Sequence, residues 1–535
     1  MPDIEKGGSS RRDVLKAAAV AGPGILLGWP AGAQAAERSQ PRHPAPARGG
    51  IRGMNVLLFL TDQQRAVQHF PPGWSERHLP GMTRLQRHGM LFDNAFTNAC
   101  MCSPARSTLM SGFFPAQHGV KYTLETDMPA PQYPQVELAT SFKNPATVAL
   151  AAGYTPVYKG KFHCTKPANG MSWVPWDVNQ YGFTRWDPPD AGADQSIPEE
   201  GGGAYDNDGR FMNSQGTAEA GTEGAVQYLS TTAASSQPFF MVVSLVNPHD
   251  VLLYPKSLDP AGYDDSWLAG EIGLPATVNE DLSTKPSVQE EFLRLFNAAS
   301  GPLPTPQLKR NYLNFYANLM KASDAYLVKI LDTLEAAGIL DNTLVIATAD
   351  HGEMGTAHGG LRQKNFNFYE ETTRVPLVYS NPRLFPAPHT NHSIVSHVDF
   401  LPTLASLLDV APAARDNWEG IDYADQILSR SPRPGQDYTV FTYDDWQSGQ
   451  ATGPYPKPPN HIVSIREHRY KLARYYDANG QVPPQWEMYD LKADPLERVN
   501  LAHRGYHRTP EQEREYKRLR RKLARVERTR LQPLS

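Results

Sequence analysis

Three uninterrupted apolar runs constrain what this chain can fold into more than any other feature. Val56-Leu57-Leu58-Phe59-Leu60, Phe239 to Val246 and Leu344 to Ala347 show no alternation of polar and apolar residues. A strand with one wet face alternates, so an unbroken run predicts a strand buried on both faces, as in a parallel sheet covered by helices. Between the second and third runs, Leu313, Ala317, Met320, Leu327, Leu331 and Leu334 recur at spacings of three and four. Asp324 fills the one gap, and Gly338 sits where a helix would end. A long helix leading into an apolar strand is half of a β-α-β unit. The expected fold class is α/β, with a large mostly parallel sheet flanked by helices.

Each apolar run ends in polar chemistry. The first runs into Thr61-Asp62-Gln63-Gln64, the second into Asn247-Pro248-His249-Asp250, and the third into Ala349-Asp350-His351-Gly352-Glu353. In open α/β sheets, ligands bind beyond the carboxyl ends of the strands. A single Asp after a strand is more often a helix cap than a ligand, and a lone His is more often structural. Three such segments on one edge point to a metal or anion site. Asp62, Gln63, Asp350 and His351 could form the shell of a divalent cation. Two carboxylates and an amide oxygen suit calcium or magnesium, and an imidazole moves the preference toward manganese or zinc.

The rest of the chain sets the context. A formal net charge of -4 over 535 residues offers no excess of basic residues for nucleic acid. The basic run Arg514 to Arg530 is interleaved with Glu515 and Glu527 and reads as a solvated helix face. Three cysteines, Cys100, Cys102 and Cys164, make no disulfide framework. Ser10-Arg11-Arg12-Asp13-Val14-Leu15-Lys16 looks like a twin-arginine export signal. It is followed by a mild apolar run and by small residues at Ala31, Ala33 and Ala35. Residues 1–36 are expected to be that signal and 37–53 a disordered linker. A main domain follows over 54–430, then a smaller antiparallel α+β subdomain over 431–535. Tyr438 to Tyr443, Ile462 to Ile465 and Tyr470 to Tyr476 read as its strands, with a turn at Asn479-Gly480 and a charged closing helix. No stretch of the mature chain is long and apolar enough to cross a membrane. Asp187 to Gly209 reads as an acidic surface loop. Trp173, Trp176, Tyr181, Phe183 and Trp186 could stack on a substrate ring or pack loops.

The most specific stretch is Cys102-Ser103-Pro104-Ala105-Arg106, followed by Ser107-Thr108-Leu109-Met110-Ser111-Gly112. It resembles the C-x-P-x-R signature of the formylglycine-dependent (type I) sulfatases of the alkaline phosphatase superfamily. Gly160-Lys161-Phe162-His163 resembles that family's G-K-W-H element, with Phe in place of Trp. Asn247-Pro248-His249, Thr348-Ala349-Asp350-His351-Gly352-Glu353, Lys364 and Ser396-His397-Val398-Asp399 follow in the family's order, as does Tyr489-Asp490-Leu491.

The resemblance implies an exported sulfuric ester hydrolase of alkaline-phosphatase-like fold. Cys102, oxidised by a formylglycine-generating enzyme, would be the nucleophile, and Arg106 would steady it. Asp62, Gln63, Asp350 and His351, with the side chain at 102, would hold one divalent metal, calcium before manganese. Lys161, His163, His249 and Lys364 would contact the sulfate, and His249 would protonate the leaving oxygen. The substrate would be a small-molecule or carbohydrate sulfate ester. The partners would be the modifying enzyme and the twin-arginine machinery, and the destination the periplasm or the cell exterior. Many sulfatases carry a second aspartate where this chain has Gln63 and an asparagine where it has His351, and Ala105 replaces a common serine. The first two departures bring it closer to choline-sulfatase-like and phosphonate-monoester-hydrolase-like relatives. Phosphonate or phosphodiester hydrolysis on the same scaffold is therefore a second reading, and an inactive secreted anion-binding protein a third.

Overall fold

β1 (Asn55–Thr61) is buried along its whole length because parallel strands flank it on both sides. β5 (Phe239–Ser244) pairs with it on one side and β6 (Thr343–Ala349) on the other. The three apolar runs are thus neighbours at the centre of a seven-stranded sheet. The remaining members are β2 (Gly89–Phe96), β4 (Thr155–Gly160), β7 (Leu377–Ser380) and β8 (His389–Ser396). The order is β4-β5-β1-β6-β7-β2-β8, parallel except where β7 pairs with β6 and β2. This computed structural model describes residues 51–66, 68–125, 135–168, 172–192, 206–232, 237–429, 435–450 and 452–534. The expected export signal, and the linker as far as residue 50, lie outside them. Ile51 is already buried, and its N–H donates to Leu407 O.

The four longest helices among the described residues are α1 (Cys102–Ser111), α2 (Ser287–Ser300), α3 (Pro306–Ala336) and α4 (Pro510–Arg530). α3 is the expected long helix. Leu327, Leu331 and Leu334 pack against Leu57, Val243 and Val345 of the sheet, each burial contributing about 1.5–3 kcal/mol. Asp324, the gap in the apolar stripe, has a structural reason. Its carboxylate accepts the N–H groups of Gly81 at 2.7 Å and Met82 at 2.8 Å, which satisfies the first turn of the helix Pro80–Arg87.

A second sheet has the order β12-β11-β10-β9-β3. β9 (Tyr438–Tyr443), β10 (His461–Glu467), β11 (Tyr470–Tyr476) and β12 (Gln485–Asp490) are the antiparallel strands expected of the C-terminal part. β3 (Ala99–Cys100) joins them from the front of the chain, parallel to β9, with Ala99 opposite Thr442 and Cys100 opposite Tyr443. α4 covers this sheet with Leu519, Leu523 and Val526. Arg514, Arg520, Arg521, Arg525 and Arg528 are exposed, as expected of a solvated face, while Arg518 and Lys522 pair with Glu467 and Arg530 with Glu419. Among the described residues, no helix is long and apolar enough to cross a membrane.

One expectation is corrected. The described parts of Asp187 to Gly209 are not a surface loop, because Asp187, Asp190 and Asp208 are buried. Each accepts hydrogen bonds from neighbouring strands or loops, which offsets the cost of burying a carboxylate.

Candidate active site

The strand ends and α1 meet in one place. Cys102 opens α1, a helix buried in full, whose first turn presents unpaired N–H groups and a positive dipole end. Its Sγ lies 3.2 Å from His351 Nε2 and 3.6 Å from Asp62 Oδ1. One ligand atom each from Asp62, Cys102, Asp350 and His351 lies within 4.8 Å of the others, all four side chains being buried. Two carboxylates, an imidazole and a sulfur so close together, with the Gln63 amide beside them, fit a divalent cation.

Arg106, one turn into α1, bridges both acids. Its Nε donates to Asp350 Oδ2 at 2.8 Å and its Nη2 to Asp62 Oδ2 at 3.1 Å. Nη1 donates to Lys161 O and Ser244 Oγ. Lys161 follows β4 directly. Gly160 is required there, since a Cβ would stand 1.9 Å from Ser244 O. Lys161 Nζ reaches Asp62 Oδ2 at 2.8 Å, passing over Gly192, where a Cβ would meet Nζ at 2.3 Å. Lys364 Nζ donates to Gln63 Oε1 at 2.6 Å.

The electrostatics divide the two acids. Burial opposes the charge on Asp62, but Lys161, His249 and Arg106 hold its carboxyl well below the usual range. Asp350 is pushed up to about 7 by burial and by the Asp62 charge, against Arg106 and Lys161. Burial and Asp62 also push the Cys102 thiol up to about 12, so the protein groups alone keep it a neutral thiol at pH 7 rather than an activated thiolate. Burial together with the nearby lysines lowers His163, His249 and His351 well below the ordinary imidazole range, leaving them neutral. His163 Nε2 donates to Leu124 O at 2.6 Å.

Every residue proposed from the sequence is thus placed at one site. Cys102, His163, His249 and Lys364 line a cavity of about 840 Å³ that opens above the acids. The sequence did not disclose what holds them. Asp190 accepts the N–H groups of Phe162 and His163 at 2.8 and 2.7 Å. Asp208 accepts those of Val246 and Asn247 at 2.6 and 3.1 Å, just before His249. Nor did it disclose the cavity's apolar wall, with Leu252, Leu253, Phe292, Leu295, Phe296 and Tyr455 as its large members. Most of the aromatic cluster after His163 is packing: Tyr181, Phe183 and Trp186 lie in the core and Trp173 packs against it, while Trp176 is exposed, and none of the five residues lines the cavity.

Comparison with known proteins places this geometry. The chain is 25% identical over 515 residues to an N-acetylglucosamine-6-O-sulfatase of Bacteroides thetaiotaomicron, covering 85% of this chain and 84% of the other. It is 25% identical over 474 residues to a choline-sulfatase of Rhizobium meliloti, covering 84% and 82%. The crystal structure of a phosphonate monoester hydrolase of Agrobacterium radiobacter shares the fold, with a TM-score of 0.62 and 20% identity over 89% of this chain and 96% of that one. A family model described as N-sulphoglucosamine sulphohydrolase, C-terminal, matches residues 358–529, and the model described as Sulfatase matches residues 54–410. The chain belongs to the sulfatase family, on an alkaline-phosphatase-like fold, and is a sulfuric ester hydrolase.

Proposed function

We propose that the chain cleaves a sulfate monoester with the side chain of residue 102, matured to formylglycine, as nucleophile. The observation that carries this reading is the placement of Cys102 at the head of α1, among Asp62, Asp350 and His351 and beside Arg106. A neutral thiol is a poor nucleophile, and its sulfated form would be a dead end. The hydrated aldehyde carries two hydroxyls on one carbon. One passes its proton to the Asp350 carboxylate as it attacks sulfur, and the bond from sulfur to the ester oxygen breaks. The sulfate anion beside His249 favours its protonated imidazole, which gives that oxygen its proton, a step worth about 10²–10⁴-fold. The second hydroxyl then passes its proton to the neutral imidazole of His163 and re-forms the carbonyl, and the bond from carbon to the sulfate oxygen breaks. Sulfate leaves, and water rehydrates the aldehyde. Arg106, Lys161 and Lys364 set fixed positive charge around the anion, at about 3–4 kcal/mol per well-aimed donor. A divalent cation held by Asp62, Gln63, Asp350 and His351, calcium before manganese, would supply further positive charge.

The cavity narrows the substrate. Among its described lining residues, Lys364 is the one lysine, and there is no arginine. That lining suits an ester with a single sulfate and a partly apolar leaving group that carries no further negative charge. Amino-sugar and choline sulfates, named for the two relatives above, are the first compounds to try. Phosphonate monoesters are the second reading, favoured by Gln63, which leaves the cation site one carboxylate poorer than a pair of aspartates would. The Arg11-Arg12 segment and the alanines at 31, 33 and 35 support export of the folded chain.

The test is a peptide mass and a side-by-side assay. Protein made with a formylglycine-generating enzyme should show the aldehyde mass at residue 102 and sulfate release that a Cys102→Ala variant lacks. A preference for the phosphonate would change the reaction class. An unmodified thiol without turnover would overturn the reading.

A further inference from the structure

A glutamine amide has two unlike ends, and only its oxygen can face a cation. The aspartate that many sulfatases carry at the position of Gln63 needs no such choice, so this chain needs something that selects the end. Gln63 sits at the rim of the cation site with a positive φ of 69°. Its backbone is pinned at both groups: its N–H donates to Asp350 Oδ1 at 3.0 Å, and its C=O accepts from Tyr316 OH at 2.8 Å. The side chain is therefore the one part left to orient.

We propose that Glu353 is the positioning residue that turns the Gln63 amide oxygen toward the cation site. Glu353 is fully buried. Its two oxygens accept from Gln63 Nε2 at 2.6 Å, Tyr312 OH at 2.7 Å, Gly355 N at 3.0 Å and Gln363 N at 2.9 Å. An ionised carboxylate gives no proton and can only accept. The three other donors all fall on Oε1, so Oε2 is the oxygen that meets Gln63, which must present its NH₂ end to it. The Gln363 side-chain oxygen backs this up, accepting from the same NH₂ at 3.2 Å. On the opposite side, Lys364 Nζ meets the amide oxygen. A flipped amide would set C=O against a carboxylate and NH₂ against an ammonium. When Lys364 turns to a bound sulfate, Glu353 still holds the orientation. Through Gln363 N, the same carboxylate also fixes the backbone that leads into Lys364.

The inference rests on the cation-site reading above, and its test does not use turnover. Calcium alone and manganese alone are titrated calorimetrically into the full chain, its Glu353→Gln variant and a Gln63→Glu/Glu353→Gln exchange. Each protein is also melted in chelator to show that it is folded. Glu353→Gln can offer an NH₂ to Gln63 and so frees the amide to turn. It should bind the cation about tenfold or more weakly, the usual cost of losing a group that orients a ligand. The exchange keeps the hydrogen bond with reversed polarity and puts a carboxylate toward the cation, so it should regain the affinity. Affinity unchanged in Glu353→Gln would overturn the proposal. So would a loss that the exchange does not recover, which would make Glu353 a packing residue. Absence of cation binding by the parent chain would withdraw the site itself.

Discussion

His351 Nε2 and Cys102 Sγ are 3.2 Å apart, so the imidazole at the cation site touches the residue proposed as nucleophile. Replacing His351 with Ala should weaken cation binding about 10–100-fold, in the range for a lost ligand contact. Sulfate release should fall with it and recover in part at high calcium. Titration of activity against calcium, in parent and variant, measures both effects.

Arg106 separates two buried carboxylates that would otherwise face each other. An Arg106→Met variant leaves them uncompensated, and it should unfold more easily by about 3–5 kcal/mol when cations are chelated. Added calcium should return part of that loss, because it neutralises the same oxygens. Urea unfolding in chelator and in calcium checks both halves. A variant as stable as the parent in chelator would contradict this account of Arg106.

Behind the site, His358 is buried between Glu280 and Glu371, with Nδ1 2.8 Å from Glu280 and Nε2 3.7 Å from Glu371. Burial alone would lower it, but these two carboxylates raise it from 6.5 to about 9. The folded state therefore prefers the protonated ring. Its contribution, on the order of 3 kcal/mol, is full below the unfolded value of 6.5 and is lost as pH rises through about 9. A His358→Gln variant should be markedly less stable than the parent near pH 6, and the gap should close near pH 10. A gap that stays constant with pH would refute the assignment.

Asp190 acts through backbone N–H groups on either side of Phe162. Asp190→Asn turns one acceptor into a donor that faces a donor, so the loop bearing His163 should shift. Small displacements of positioned groups cost rate more than binding. The expected result is a fall in kcat of about tenfold or more with KM little changed, measured by steady-state kinetics on an aryl sulfate. A changed KM with unchanged kcat would point to a binding role instead.

The centre of the fold was legible because β5, β1 and β6 have no wet face, which leaves an unbroken apolar signature. β4 escaped notice because Lys159 lies inside it. That lysine is buried, 3.3 Å from Asp187 and 3.6 Å from Glu223, and a charge in a short run reads as a loop. β3 is too short to show a period at all. The groups at the strand ends were legible by residue type and order. Asp190 and Asp208 were not, because they bind main-chain N–H groups, which every residue except proline has, and no side-chain pattern announces them.

The strand pairing just before Cys102 has a consequence for assembly. Asn98 Nδ2 donates to Val440 O at 2.7 Å, across 342 positions of sequence, and Ala99 and Cys100 continue along β9. The turn that leads into Cys102 therefore gains this support only once β9 has folded against it. Contacts of such long range are formed slowly. If residue 102 is matured as proposed above, the segment around it would be accessible to the modifying enzyme until then. In the folded chain Cys102 is 2% exposed and is reached through the cavity it lines. A chain cut short before β9 would lose the strand partner of the segment that leads into its active site.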